Sequence, residues 1–380
     1  MRKLTVIQTL PALSTGGVER GTLEVAEELV KRGHRSIVVS SGGPMLKELI
    51  EKGSEHYDLA VGKKSLATLW HIPRLRKIMR ETGATIVHAR SRLPAWISYL
   101  AWKGMDPASR PRFITSVHGP YTVNRYSRIM TRGERVIAIS DFIRDYITRN
   151  YPDVPTGKII VIPRGVSRER YPYMFHPGKA WLASWHNQYP LLENKTFVTL
   201  PGRITRWKGQ EDFLHILSRL PGDDNTIHGL IVGGPHPLKQ HYFEELKALA
   251  KKLGLDHRLT FAGHRNDVRE IMSISRIVMS LSNEPEAFGR TVLESLSLGV
   301  PVIAYAHGGA GEVMRTVFPE GLVPKNDTAA AAGLIAKFLI ARPKVPEQNP
   351  FSLRRMLDST MRLYEDVSEE RADYKQILQA

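Results

Sequence analysis

Along this chain, short apolar, β-branched runs alternate with longer stretches in which apolar residues recur at helical spacing. In the first half the runs are LTVIQTL, RSIVVS, HYDLAV, ATIVHA, RFITSVH and RVIAIS, with KIIVIPRGV closing the series. Helical stretches separate them, such as 18–32, stopped by Gly33, and 69–81. Around 167–193 the alternation gives way to aromatics, prolines and polar residues, and it then restarts with FVTLPGR, HGLIVGG, RLTFAGH, RIVMSLS, PVIAYA and GLVP. Strands that are apolar throughout and separated by helices predict parallel sheets covered on both faces, joined by right-handed crossovers. The pattern therefore predicts an α/β protein of two doubly wound, Rossmann-like domains, 1–178 and 179–350, with a polar terminal helix over 351–380 after a proline-containing linker. Ligands of such sheets sit beyond the carboxyl ends of the strands, so the loops there are where chemistry is sought.

Composition changes the picture in one respect. The chain has 380 residues, 42% hydrophobic and 24% charged, which is ordinary for a globular protein, but its net charge is +16. That balance calls for an anionic partner: nucleic acid, an acidic membrane surface or a phosphorylated substrate. There is no cysteine, so no disulfide framework, and no apolar run is long enough to span a bilayer. The N-terminal run is too short for a signal-peptide core and is read as the first strand, which points to a cytoplasmic protein.

The most informative stretch is NEPEAFGRTVLESLSLGVPVIA, 283–304. It reads as loop, helix and buried strand, with the helix starting at about Ala287 or Phe288 after Pro285, and ending at Gly299 and Pro301. Glu286 then lies at the helix N-terminus and Glu294 two turns inside, about 12 Å apart along the axis. That is the reach from sugar to ribose in a nucleotide-sugar, and a carboxylate can accept from vicinal hydroxyls at either end. Gly289 and Thr291 fall in the first turn, where free N–H groups favour a phosphate. Two glutamates eight apart carry little by themselves; their setting carries the reading.

In the setting E-x-F-G-x-x-x-x-E followed by G-x-P-V-I-A, these residues resemble the retaining glycosyltransferases of GT-B fold, of the large family-4 type. The resemblance implies two Rossmann-like domains facing across a cleft, an acceptor domain followed by a nucleotide-sugar donor domain, with the C-terminal helix packing back on the first. It implies that Glu294 holds the ribose and Glu286 the donor sugar, with Phe288, Gly289 and Thr291 at the donor. LPGRITRWKGQ matches the family's G-R-x-x-x-x-K-G, which gives Arg203 and Lys208 the departing diphosphate. Gly16-Gly17 follows the first strand and suits close approach of a donor phosphate; it is not the dinucleotide fingerprint, so a nicotinamide enzyme is disfavoured. His118-Gly119 closes the strand FITSVH in a TxHG-like context, which the resemblance puts beside the donor sugar. The loops at Gly233–Pro235 and Gly263–His264 come near the base, which is left unassigned.

Arg90 and Arg92, in HARSRLPAW, and Arg164, in IPRGV, suit an acceptor carrying phosphate or carboxylate. Together with GGVER, these stretches resemble transferases of the bacterial lipopolysaccharide core. The function expected is thus transfer of a sugar from a nucleotide-sugar to an anionic glycolipid, peripheral on the inner face of the cytoplasmic membrane. Arg74, Arg76, Lys77 and Arg80, on the stretch that includes Trp70, suit contact with anionic headgroups. No cofactor is expected, and with no D-x-D motif or ligand-spaced histidines no metal either. Alternatives are another family-4 transferase of glycolipid or polysaccharide, a GT-B nucleotide-sugar epimerase, or a non-catalytic basic protein bound to membrane or nucleic acid. The base, sugar, acceptor hydroxyl and oligomeric state stay open.

Overall fold

The computed structural model describes the backbone of residues 3–14, 16–221, 226–235 and 240–379, and side chains as far as 369. The chain forms two compact units, Met1–Pro163 with Arg354–Ala380, and Arg164–Leu353. Each is taken by itself.

Every apolar run becomes a strand. In the first unit these are β1 (Thr5–Thr9), β2 (Arg35–Ser40), β3 (Glu55–Asp58), β4 (Ile86–Ala89), β5 (Arg112–Val117), β6 (Arg135–Ala138) and β7 (Ile159–Val161). They form one parallel sheet in the order β3-β2-β1-β4-β5-β6-β7. Its helices are α1 (Gly17–Lys31), α2 (Leu46–Glu51), α3 (His71–Glu81), α4 (Arg92–Lys103) and α5 (Asp141–Asn150). The second unit carries α6 (Lys179–Gln188), β8 (Thr196–Pro201), α7 (Gln210–Arg219), β9 (Ile227–Val232), α8 (Gln240–Lys252), β10 (Leu259–Gly263), α9 (Val268–Ser273), β11 (Ile277–Ser280), α10 (Arg290–Ser297), β12 (Val302–Tyr305), α11 (Gly308–Val317), β13 (Leu322–Val323) and α12 (Thr328–Ile340). Its sheet is also parallel, ordered β10-β9-β8-β11-β12-β13. The last helix is α13 (Leu353–Gln379).

The stretch 164–178, assigned to the first domain by its pattern, belongs with the second unit. Backbone bonds explain this: Val166 N–H donates to Phe351 O at 3.0 Å, Leu353 N–H to Val166 O at 2.9 Å, and Met174 N–H to Leu298 O at 3.2 Å. Helix α13, polar at first reading, buries a stripe of Leu357, Met361, Tyr364 and Val367. Tyr364 meets His88 of β4, Oη to Nδ1 at 2.6 Å, and Arg112 Nε donates to Val367 O at 3.0 Å, so α13 is bonded into the first unit by polar groups as well as apolar ones.

Both sheets reverse direction of growth at one place. β1 pairs with both β2 and β4, and β8 with both β9 and β11. Loops leaving the carboxyl ends of the strands on either side of such a switch point diverge and leave a crevice.

Two glycines separate backbone strain from crowding. Gly33 (φ +77°) caps α1, and an added Cβ there meets nothing within 4 Å; Gly209 (φ +74°) would put its Cβ 2.0 Å from Leu281 O. Gly33→Ala is expected to cost about 1–2 kcal/mol, the left-handed penalty alone. Gly209→Ala should cost about 2–5 kcal/mol, because backbone must also move. Urea unfolding of the two variants checks the difference; equal losses would exclude the crowding at 209.

Candidate active site

The second unit gathers its candidate residues above the β8–β11 switch. The chain leaves β8 through Gly202, makes a 3-10 turn over Arg206–Lys208 and reaches Gly209. Because Gly209 has no side chain, this turn lies directly against the backbone after β11, and Asn283 N–H donates to Trp207 O at 2.7 Å. Lys208 is thereby aimed at Glu286: Nζ donates to Oε1 at 2.6 Å, and Ser282 Oγ donates to the same oxygen at 2.5 Å. His307, at the end of β12, lies with Nε2 2.7 Å from the Ser282 carbonyl oxygen. Side-chain exposure is only 20% for Lys208 and 16% for Glu286. Burial alone would raise the Glu286 carboxyl, but the charge of Lys208, the bonds from Lys208 and Ser282, and nearby His307 hold it below its usual value. Glu286 is therefore a fixed, ionised acceptor.

The loop from 283 to 289 differs from expectation in two ways. Helix α10 starts at Arg290, not at Ala287 or Phe288, because Gly289 is left-handed (φ 82°, ψ 51°) and a Cβ there would lie 2.6 Å from Ala310 Cα. Only four residues of the glutamate spacing are helical, so Glu294 lies about 6 Å along the axis, little more than one turn in, rather than two. Phe288 is buried and packs edge-on against Phe351, ring centroids 5.6 Å apart, so its side chain anchors the loop and does not face a donor. The N-terminus of α11 closes on the same loop, with Gly309 N–H donating to Glu286 O at 2.7 Å. Gly289 and Thr291 remain at the start of α10, where N–H groups lack helical partners.

Glu294 Oε1 accepts from Arg290 Nε at 2.9 Å. Burial first, and then the charge of Glu294, push the Tyr171 phenol up to about 12. Arg203 is exposed, its carbonyl held by Gln210 Nε2 at 3.1 Å. At the end of β10, Trp181, His264, Arg265 and Asp267 line a cavity of about 460 Å³. Tyr171 and His307 escaped sequence reading. The signal for His307 was legible in the His-Gly-Gly after PVIAYA; Tyr171 had none, since its place depends on 164–178 folding onto the second unit.

In the first unit Gly16-Gly17 follows β1, Arg90 and Arg92 follow β4, and His118 follows β5, three adjacent strands. A Cβ on Gly17 would meet nothing within 4 Å, and one on Gly16 only the Glu19 side chain, so packing does not require these glycines. His118 is half-buried, its N–H donating to Tyr121 Oη at 3.3 Å. The acceptor arginines do not share one environment. Arg90 is 2% exposed and donates to Gln8 Oε1 inside the sheet, so it does not offer its guanidinium to a surface-bound acceptor as expected; Arg164 is 8% exposed and falls in the second unit, apart from the acceptor domain it was assigned to. Arg92, the first residue of α4, is accessible: its guanidinium lies 4.8 Å from the Tyr121 ring centroid and 5.4 Å from that of Tyr126, and donates to Ser127 Oγ at 3.2 Å.

Two doubly wound parallel sheets, with candidate residues in the loops at the carboxyl ends of their strands, are the architecture of a GT-B transferase. Residues 15–170 match the model for Glycosyltransferase Family 4, and residues 183–350 that for Glycosyl transferases group 1. The crystal structure of a glycosyltransferase from Rickettsia africae ESF-5 is 31% identical, with a TM-score of 0.84 over 97% of this chain and 99% of that one. N-acetyl-alpha-D-glucosaminyl L-malate synthase of Bacillus anthracis is 23% identical over 341 residues, 86% of this chain and 84% of that protein. Two further structures share the fold: HepE of Anabaena, in complex with UDP and glucose (18% identity, TM-score 0.75, 98% and 99% covered), and WaaG, a glycosyltransferase involved in lipopolysaccharide biosynthesis (17%, 0.65, 97% and 99%). The chain belongs to the family 4, group 1 glycosyltransferases and is a glycosyltransferase of GT-B fold.

Lys208→Met leaves the Glu286 carboxylate enclosed without its counter-charge and should lower stability by about 1–3 kcal/mol. In wild type the depressed pKa of Glu286 means that the pair's contribution is complete above the ordinary glutamate range and is lost as pH falls through the lower, folded value. Urea unfolding between pH 3 and 8 checks both points: the difference between wild type and Lys208→Met should shrink at the acid end.

Proposed function

We propose that the protein is a retaining transferase that moves a sugar from a nucleotide-sugar to an anionic glycolipid, in assembly of the lipopolysaccharide core. The observation that carries the donor half is the Lys208–Glu286–Ser282 cluster, with Glu294 one helical turn further on, all above the switch point of one sheet. In this reading Glu286 accepts from hydroxyls of the donor sugar, which its ionised state favours, and Glu294 from the ribose. Arg203 and Lys208, with the free N–H groups of Gly289 and Thr291, stabilise charge that develops on the diphosphate as it leaves. They supply the positive charge without a metal. Gly16, Gly17 and His118 are assigned to the donor, and Arg92 to an acidic group of the acceptor. In a front-face step the bond from the acceptor oxygen to the anomeric carbon forms as the bond to the leaving phosphate breaks, and the hydroxyl proton passes to a phosphate oxygen. No enzyme nucleophile is needed, and configuration is retained.

The lipid half rests on a surface of the first unit. A 3-10 turn over Leu66–Trp70 leaves Leu66 85%, Leu69 49% and Trp70 78% exposed, beside exposed Lys63, Lys64, Arg74 and Lys77. Helix α3 turns Leu75, Ile78 and Met79 inward, so the apolar contribution comes from the turn before it, not from the helix. Apolar side chains ringed by cations suit an interface with anionic headgroups. No helix of the described residues is long and apolar enough to cross a membrane, so the contact proposed is peripheral.

Two measurements test this. In a thermal-shift panel of UDP, GDP, ADP and CMP with their sugar conjugates, one nucleoside diphosphate at a hundred times its Kd should stabilise by about 2.7 kcal/mol, unchanged by chelator. Glu294→Ala should weaken that ligand by roughly tenfold, about 1.4 kcal/mol. No shift with any nucleotide would remove the donor assignment, and a requirement for a divalent ion the metal-free one. In the second, Leu66→Ser/Trp70→Ser should lose co-sedimentation with phosphatidylglycerol vesicles while keeping the nucleotide shift, and 0.5 M salt should weaken the wild type. Transfer to L-malate but not to a lipid-linked glycan would favour a small acidic acceptor, the type named for the Bacillus anthracis relative.

A further inference from the structure

Helix α10 begins with an arginine that its own stability does not call for. Arg290 is the first residue of the helix and Glu294 stands one turn behind it, with Arg290 Nε donating to Glu294 Oε1 at 2.9 Å. In an i,i+4 pair the acidic residue is favoured on the N-terminal side, because the helix dipole is positive there. Here the order is reversed, and the first turn of α10 carries no acidic residue to offset it. The pair is also enclosed. Side-chain exposure is 22% for Arg290 and 15% for Glu294, whereas the surface pairs Lys47–Glu51 and Lys77–Glu81 leave every member at 62% or more. We propose that Arg290 is a positioning residue for ribose recognition: it fixes the Glu294 carboxylate for the ribose hydroxyls of the donor, which rests on the assignment of Glu294 to the ribose.

The carboxylate is held from two elements. Arg290 binds it from within α10. Tyr171, buried in the segment 164–178, brings up a phenol that burial, and then the charge of Glu294, hold protonated. That segment is fastened beside α10 by Met174 N–H donating to Leu298 O at 3.2 Å. An ionised carboxylate offers about four acceptor sites, so a guanidinium and a phenol leave room for both hydroxyls. A glutamate side chain is rotamer-rich, and one already ordered loses less freedom when the ribose arrives.

Charge gives a second reason. In the proposed reading Glu286 and Glu294 stand on either side of a diphosphate, and a bare carboxylate there would repel it. Lys208 lies 2.6 Å from the first and Arg290 2.9 Å from the second, so each carboxylate carries its own counter-charge.

The test is isothermal titration of the full-length protein with UDP, GDP and ADP, each beside its 2′-deoxy and 3′-deoxy counterparts. For the diphosphate that binds, wild type should prefer ribose by about tenfold or more, and Arg290→Met should cut the preference to about threefold or less. Arg290→Gln is expected to do the same, and serves as the second variant should Arg290→Met fail to fold. An unchanged preference overturns the proposal. So does a loss of affinity equal for the ribose and deoxyribose forms, which would mark a structural role only. Glu294→Ala on the same panel separates the failures. Where it abolishes the preference and Arg290→Met does not, only this inference falls. Where wild type shows no preference, or Glu294→Ala keeps it, the ribose assignment of Glu294 falls and takes this inference with it. Absence of binding by every diphosphate removes the donor assignment, and both readings with it.

Discussion

The pairing of Lys208 with Glu286 depends on backbone lying closer to backbone than side chains allow. Lys208 can reach the carboxylate because Gly209 lets its turn touch the end of β11, and Gly233 similarly rests against the Gly202 carbonyl. On the other side Gly289 and Gly309 let the 283–289 loop and the start of α11 interlock. These glycines give up chain entropy and stability to bring loops from separate strands into contact. What results is a partly enclosed carboxylate whose ionisation is held by a lysine, a hydroxyl and a nearby imidazole rather than by water. A group fixed in this way needs little reorganisation when a sugar arrives, the condition under which electrostatic stabilisation is most effective.

The two units use one topology for different ends. In the second, crowding explains Gly209, Gly233, Gly289 and Gly309. In the first, packing leaves Gly17 unexplained, and the arginine at the end of β4 has turned inward to Gln8. A guanidinium so enclosed serves the architecture: with Gln8 of β1 it ties adjacent strands at the switch point, and His88, bonded to Ser116 Oγ at 2.5 Å and to Tyr364, ties β4 to β5 and α13. Polar groups sunk in a sheet fix register most sharply when matched, as His88 is on both ring nitrogens; Arg90 Nε stays without a partner among the described residues. The accessible cation on this edge is Arg92, steadied by two tyrosine rings that keep its planar head in place without removing its charge.

The surface around Trp70 shows how a helix can mislead when read as a unit. The basic residues of α3 suit headgroup contact, yet the helix's own apolar residues Leu75, Ile78 and Met79 are spent on the core. Exposed apolar area comes instead from the irregular turn before the helix, where periodicity has no meaning. Short turns escape pattern analysis for this reason.

How much was legible follows from how local each constraint is. The strands and both parallel sheets could be read because a strand buried on both faces must be apolar throughout, and a crossover helix must be amphipathic. The site motifs could be read because Gly, Glu, Arg and Lys at fixed offsets after a strand leave a local trace, and that much the sequence by itself determined. It could not determine which of those residues would face a ligand. Phe288 and Arg90 went into the interior, and α10 began late because Ala310, distant in sequence, presses on Gly289. Tyr171 came to the site only through long-range packing, with 164–178 folding onto the second unit. Burial and partnership are properties of contacts between segments far apart in the chain, and only the tertiary structure decides those.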